Sequence, residues 1–273
     1  MKRVLTVLPA EATRPLLNLL VTRLGLTADE SVGRIEAGAV YVDGRREMDP
    51  QCVLQAGMRV IVRQPKEAPS ETVQILHNDA NVAVVVKPSG LPSIPPRCGG
   101  ANLAAWVEQR YGPEARLLHR LDEGASGLLL VSVCASTREH FTKQVREHRL
   151  GRRYRVVVSP APEEDQLFID KPLVRRGPTS VVGQGPKAKA ARTRVRVLER
   201  RGDRALLEVE LETGRLHQIR AHLAWAGFPV LGDAHHGGAA CFRLALHASH
   251  LDVEGLEGTR LEWVCPLPKG LWQ

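Results

Sequence analysis

In LLNLLVTRLG, Leu16, Leu17, Leu20 and Leu24 recur at helical spacing behind Thr13 and Pro15, and Gly25 supplies a C-terminal stop. Thr27 and Glu30 form a capping box, in which the Thr hydroxyl accepts the backbone N–H three residues on and Glu30 reaches back. The helix they open ends near Gly38. Val40-Tyr-Val then alternates and turns at Asp43-Gly44, a strong hairpin signal, and MRVIVR at 58–63 adds a strand. Residues 1–63 therefore predict a small α/β domain. Residues 64–72 are polar, carry proline and lack any period, which marks a linker.

From 73 to 273 the pattern predicts a larger domain. VQILHND and NVAVVVKPSG are strands joined at Asn78-Asp79, NLAAWVEQRYG is an amphipathic helix, and GLLLVSV is a buried strand. STREHFTKQVREHRL is a helix with a basic exposed face. YRVVV, TRVRVLE and ALLEVELE alternate as strands, and RLHQIRAHLAWAG is a helix stopped by Gly227. These elements predict an α+β fold around a mixed, mostly antiparallel sheet. No fixed-period repeat, GxGxxG or GxxxxGK[ST] occurs, so no nucleotide cofactor is expected.

Composition adds compartment and partner. No run of about 18 apolar residues exists, and the first residues are too interrupted for a signal peptide, so a cytoplasmic protein without a membrane span is expected. Five cysteines with no CxxC pair fit neither a disulfide framework nor a cysteine zinc site. The formal charge is +8 over 273 residues. Much of it is gathered in two blocks: 138–155 has seven Lys/Arg against two acids, and 171–204 has eleven against two. Clustered positive charge points to a polyanion, with nucleic acid the commonest. Aromatic content of 4% argues against a broad base-stacking sheet.

Two helices, a hairpin and a strand carrying Arg14, Arg23, Arg34, Arg45 and Arg46 resemble the small S-four-like RNA-binding module. The family's Arg-Leu-Asp start reads Arg14-Pro-Leu here, and its Ser-Arg second helix reads Asp-Glu-Ser31. These departures remove polar contacts typical of the module.

The chemistry lies further on. Val85-Val-Lys87-Pro-Ser-Gly-Leu-Pro, His119-Arg-Leu-Asp122 with Ser126-Gly-Leu-Leu-Leu130, Tyr154 after a basic run, and Thr213-Gly-Arg-Leu-His-Gln-Ile-Arg-Ala-His222 occur in order. Gly227-Phe-Pro-Val-Leu-Gly-Asp233 and Arg243-Leu-Ala-Leu-His-Ala248 follow. Over residues 73–250 this series closely resembles the RluA-type RNA pseudouridine synthases. The His-Arg-Leu-Asp start separates it from the sister RsuA-type family, which has Gly in place of His119.

The resemblance implies isomerisation of uridine in structured RNA, ribosomal more than transfer RNA, by a monomer without cofactor or metal. It implies that Asp122 is the essential aspartate, that Arg220 pairs with it, and that Tyr154 stacks under the flipped base. Arg120, Ser126, Arg215, His217, Gln218 and Lys87 are expected to contact substrate, Lys87 at the RNA backbone. A buried Asp needs a cation to stay ionised, and a guanidinium gripping Asp122 by two parallel bonds would supply one. Two positions depart from the family. The usual Thr before Ser126 is Ala125, and the frequent Tyr after the Gly-Asp element falls within Ala234-His-His-Gly-Gly238. An alternative reading is an RNA-binding or ribosome-assembly factor that keeps the fold without turnover. A metal reading finds little support: His217 and His222, five apart on a helix, diverge by roughly 140°, and His235, His236, His247 and His250 with Cys241 lack a ligand spacing.

Overall fold

The computed structural model describes residues 2–63, 71–96 and 99–272, so most of the expected linker lies outside the described residues. The chain separates into two units, Met1–Ala68 with Ile94–Trp106, and Pro69–Ser93 with Val107–Gln273.

The first unit holds β1 (Lys2–Thr6), α1 (Leu16–Leu24), α2 (Ala28–Glu36), β2 (Val40–Val42), β3 (Arg45–Arg46) and β4 (Arg59–Arg63). Its antiparallel sheet runs β1-β4-β2-β3. Leu16, Leu19 and Leu20 pack with Ile35, Val40, Val60 and Val62 in one core. The capping box forms as expected: Thr27 Oγ1 accepts from the Glu30 N–H at 3.1 Å, and the Thr27 N–H donates to Glu30 Oε2 at 2.8 Å. Gly25 ends α1 with φ 65°, a backbone conformation that suits glycine. Two of the five arginines singled out above are tied within the unit, Arg23 to Glu11 at 2.9 Å and Arg46 to the Tyr41 hydroxyl and the Pro96 carbonyl.

The second unit contains β5 (Gln74–Asn78), β6 (Val82–Lys87), the end of α3 (Leu103–Tyr111), β7 (Arg116–Leu117), β8 (Ser126–Ser132), α4 (Ala135–Arg146), β9 (Gly151–Val158) and β10 (Gln166–Asp170). The hairpin β11 (Leu173–Arg176) and β12 (Thr179–Val182) follows, then β13 (Arg192–Arg201), β14 (Arg204–Leu211), α5 (Gln218–Trp225), β15 (Leu246–Glu254) and β16 (Arg260–Val264). Its ten-stranded sheet runs β10-β13-β14-β9-β15-β8-β6-β5, with β16 on β15 and β7 on β8. Among the described residues every pairing is antiparallel except β15 with β8, where His247 opposes Ser126 and Ala248 opposes Gly127. The mixed, mostly antiparallel α+β expectation therefore holds.

That parallel contact positions the site. A Cβ at residue 127 would lie 2.2 Å from the Ala248 carbonyl oxygen, so only glycine lets the strands meet there. On one face Leu128 and Leu130 bury Phe141 of α4 together with Leu251 and Val253. β9 lies between β14 and β15, so Tyr154 sits mid-sheet opposite Val209 and Ala248.

Two sequence expectations change. α5 starts at Gln218 rather than Arg215, and His217 takes a left-handed conformation (φ 52°) before it. His217 and His222 therefore do not share a helix, and the angular argument about them no longer applies. β1, β7, β10, β11, β12, β15 and β16 have no counterpart in the sequence pattern. In β15, His247, Ser249, His250 and Asp252 are buried, so its polar residues hide the strand from a hydrophobic pattern.

Candidate active site

The site forms where the β7–β8 loop, β9 and the start of α5 converge on one pocket, lined by Arg120, Asp122, Arg152, Tyr154, Arg215 and Arg220 among others. The segment after β6 clasps the loop from behind. Ser93 Oγ donates to the Leu121 carbonyl at 2.8 Å and accepts from its N–H at 3.1 Å, and Ser89 Oγ donates to Gly124 O at 2.6 Å. His119 is half-buried, and its Nε2 accepts the Leu130 N–H at 3.1 Å, which fixes the neutral ring. Burial chiefly, helped by Arg152, pushes its pKa down to about 3. A turn from the Ala125 N–H to the Asp122 carbonyl at 3.1 Å then presents the Asp122 side chain to the pocket.

The expected grip of Arg220 on Asp122 by two parallel bonds needs correction. Both parallel bonds go to Asp233: Nε donates to Oδ2 at 2.6 Å and Nη2 to Oδ1 at 2.7 Å. Nη1 donates once to Asp122 Oδ2, at 3.1 Å. The Asp233 side chain is fully buried and that of Arg220 is 8% exposed, whereas that of Asp122 is 19% exposed. Burial opposes the Asp233 charge, but the bonds to Arg220 and His236 outweigh it and hold the carboxyl well below the usual carboxylate range. Arg220 is thus fixed by a buried carboxylate and offers one donor to the more open one. His217 completes the surroundings, with Nε2 3.8 Å from Asp122 Oδ1. Burial, more than any neighbour, lowers its pKa.

Tyr154 lies opposite in the pocket. It is 5% exposed, and burial pushes its phenol up, so the ring stays neutral and protonated. Arg152, two residues earlier and on the same strand face, has no ion-pair partner among the described residues, and its Nε is buried without a hydrogen bond. A Cβ on Gly214 would lie 3.3 Å from the Arg152 guanidinium, which shows how closely the loop before α5 approaches it. The basic run before Tyr154 was noticed in the sequence; strand alternation is what selects Arg152 over Arg153.

Three expected substrate contacts prove to be internal. Lys87 is fully buried, and its Nζ donates to the carbonyls of Pro88 (2.8 Å), Leu91 (2.7 Å) and Glu123 (3.1 Å). All three of its protons are used, so it braces the Asp122 loop and reaches no phosphate. Burial first, then Arg243, brings its pKa down to about 7. Ser126 is buried between His247 Nδ1 at 2.8 Å and Arg243 Nη2 at 2.5 Å. Gln218 accepts from the Thr213 hydroxyl and the Arg215 N–H, and donates to the Arg192 carbonyl and Thr193 Oγ1, which bolts the loop before α5 to β13. Arg120 is exposed at the pocket, and Arg215 is half-buried with Nε on the Ala190 carbonyl at 3.0 Å. His222 is held by Thr193 and the Lys171 carbonyl. Among the described residues no group of His, Cys, Asp and Glu gathers as a metal site.

The positive blocks also need correction. In β13, Arg192, Arg194, Arg196, Arg200 and Arg201 all have carboxylate partners, and in the earlier block so do Arg138, Arg146, Arg149, Arg153 and Arg155. The basic groups of these blocks without an ion pair among the described residues include Arg152 and the β11–β12 hairpin pair Arg175 and Arg176.

Residues 81–225 match the profile of the RNA pseudouridylate synthase family. A Synechocystis protein described as an uncharacterized RNA pseudouridine synthase is 37% identical over 217 residues, covering 75% of this chain and 72% of the relative. Ribosomal large subunit pseudouridine synthase D of Pseudomonas aeruginosa is 30% identical, covering 88% and 84%. The solved structure of human RNA pseudouridylate synthase domain containing 1 shares the fold at TM-score 0.64 and 23% identity, over 73% of this chain and 86% of that one. The chain belongs to the RNA pseudouridine synthases, of RluA type, and is an isomerase. No helix among the described residues is long and apolar enough to cross a membrane.

Proposed function

We propose that this enzyme converts specific uridines of ribosomal RNA in the cytoplasm, with Asp122 as the catalytic residue. The observation that carries the reading is a half-open carboxylate held by one donor of a buried, carboxylate-anchored arginine, in a pocket that also contains a buried tyrosine. The reaction breaks the C1′–N1 bond of uridine and makes C1′–C5, the C5 hydrogen leaves as a proton, and N1 takes one up. Neither oxidant nor group carrier is needed. Arg220 keeps Asp122 aimed, and Tyr154 stacks under the uracil. Arg152, Arg120 and Arg215 hold the phosphates beside the target, offsetting the few kcal/mol that flipping the nucleotide costs.

Ribosomal RNA is favoured because the Pseudomonas relative is named for the large ribosomal subunit. The first unit, with exposed Arg14 and Arg45, serves as an accessory RNA-binding domain, and the chain divides functionally at 64–72 into residues 1–63 and 73–273. The test uses RNA from cells lacking this chain, labelled with tritium at uridine C5. Wild type should release tritium and Asp122→Asn should release none. Binding without release by the wild type would sink the isomerase reading in favour of a silent RNA-binding factor.

A further inference from the structure

His236 occupies the loop after Asp233 with both ring nitrogens against oxygen acceptors. Nδ1 lies 3.0 Å from Asp233 Oδ2, and Nε2 lies 3.0 Å from the Ser180 carbonyl on β12. A carboxylate and a carbonyl can only accept, and a neutral imidazole has one N–H to give. A neutral ring would therefore leave a nitrogen lone pair facing an oxygen lone pair in a site where the side chain is 4% exposed. An imidazolium donates to both.

The charges around it agree. Asp122, Arg220, Asp233 and His236 form a chain of alternating sign that is neutral overall only when His236 is protonated. From α5, Arg220 faces the ring and opposes its charge, but Arg220 is itself held by Asp233. His217, just before α5, sits edge-on with its ring centre 5.9 Å away, and burial there favours the neutral form. From β12 the Ser180 carbonyl meets the ring, and Asp122 is linked to it through Arg220 and His217. Burial works against protonation of His236, yet the bonds to Asp233 and then Ser180 outweigh it and raise the pKa above the ordinary value of about 6.5.

We propose that His236 is a positioning residue that works as an imidazolium, locking Asp233 between the β12 backbone and Arg220 so that Arg220 Nη1 stays directed at Asp122. Arg220 makes two bonds to Asp233 and one to Asp122, so it follows Asp233 when the two compete. Loss of the His236 proton breaks one of the ring's two contacts, so Asp233 keeps Arg220 and the His235 N–H on Oδ1 at 3.1 Å but loses its fixed link to β12, and the aim of Arg220 at Asp122 loosens.

The inference rests on Asp122 as the catalytic residue, and two measurements keep the claims apart. Nitrogen NMR of the full chain labelled in histidine should show both His236 nitrogens protonated at pH 6.5, with one proton lost only at higher pH. A neutral His236 at pH 6.5 overturns the proposal whether or not any variant folds. In single-turnover tritium release from the C5-labelled RNA, the wild-type rate should fall toward about tenfold per pH unit once His236 deprotonates. His236→Asn, which keeps a neutral donor near the place of Nδ1, should be slower at pH 6.5 and lack that alkaline limb, with RNA affinity unchanged between pH 6.5 and 8.5. An alkaline limb in His236→Asn identical to wild type overturns the proposal. Tritium release by Asp122→Asn would instead overturn the functional reading, and leave the NMR result standing by itself.

Discussion

Arginine works in two opposite settings in the second unit. On the outer face of β13 and β14, Arg194 meets Glu212 and Arg196 meets Glu208, each at 2.7 Å, with both guanidinium side chains about 60% exposed. In the pocket, Arg220 is buried between two carboxylates, one wholly enclosed. Exposed pairs contribute about 0–1 kcal/mol and are screened by salt. Breaking a buried network strands a charge, at about 3–5 kcal/mol. Sequence charge adds both settings together, although only one of them shapes a site.

The comparison can be broken or sharpened by substitution. Arg220→Met should slow single-turnover tritium release by about 1000-fold, close to the loss for Asp122→Asn, because Asp122 loses its cation. Asp233→Asn should cost about 3 kcal/mol in urea unfolding, since Arg220 keeps its burial and loses its anionic anchor. Arg152→Ala should slow release about tenfold while leaving the unfolding midpoint near wild type, as expected of a substrate contact that has no ion pair among the described residues. Arg194→Ala should change stability by about 0.5 kcal/mol or less and leave the rate alone. A large rate effect there would show that the β13 face also holds RNA.

Acidity separates two groups beside Arg220. The Asp233 pKa is depressed in the folded chain, so its stabilisation is complete above the unfolded value of about 3.9 and is lost only as pH falls through the folded value. The stability gap between wild type and Asp233→Asn should therefore stay level between pH 5 and 6 and close only under strong acid, as read by thermal unfolding. His236 has the opposite sign. Its raised pKa gives stabilisation that is full below about 6.5 and lost as pH rises through the folded value.

Much of this was legible in the chain. Leu16, Leu20 and Gly25 announce α1, Thr27 and Glu30 its successor, and the order of motifs brings Asp122, Tyr154 and Arg220 to one pocket. What stayed hidden is partnership. Arg220 and Asp233 are thirteen positions apart with a helix end and a turn between them, and no periodicity says that the two parallel bonds run there. Lys87 looks like a phosphate ligand until its three protons are found on carbonyls. The arginines of β13 count as a basic block because most of their acids lie outside it, Glu208 on β14, Glu212 just beyond that strand and Asp165 in a loop. β15 escapes notice because His247, Ser249, His250 and Asp252 interrupt its apolar positions although all are buried.

β15 has one more consequence. It lies between β8, which follows Asp122, and β9, which carries Tyr154, so the two halves of the pocket share no edge until residues 246–252 are in place. The strand is made nearly a hundred residues after Tyr154 and follows every other residue that lines the pocket except its own Leu246. It acts as the keystone of an arch, and a growing chain holds the parts of a synthase before it holds a synthase.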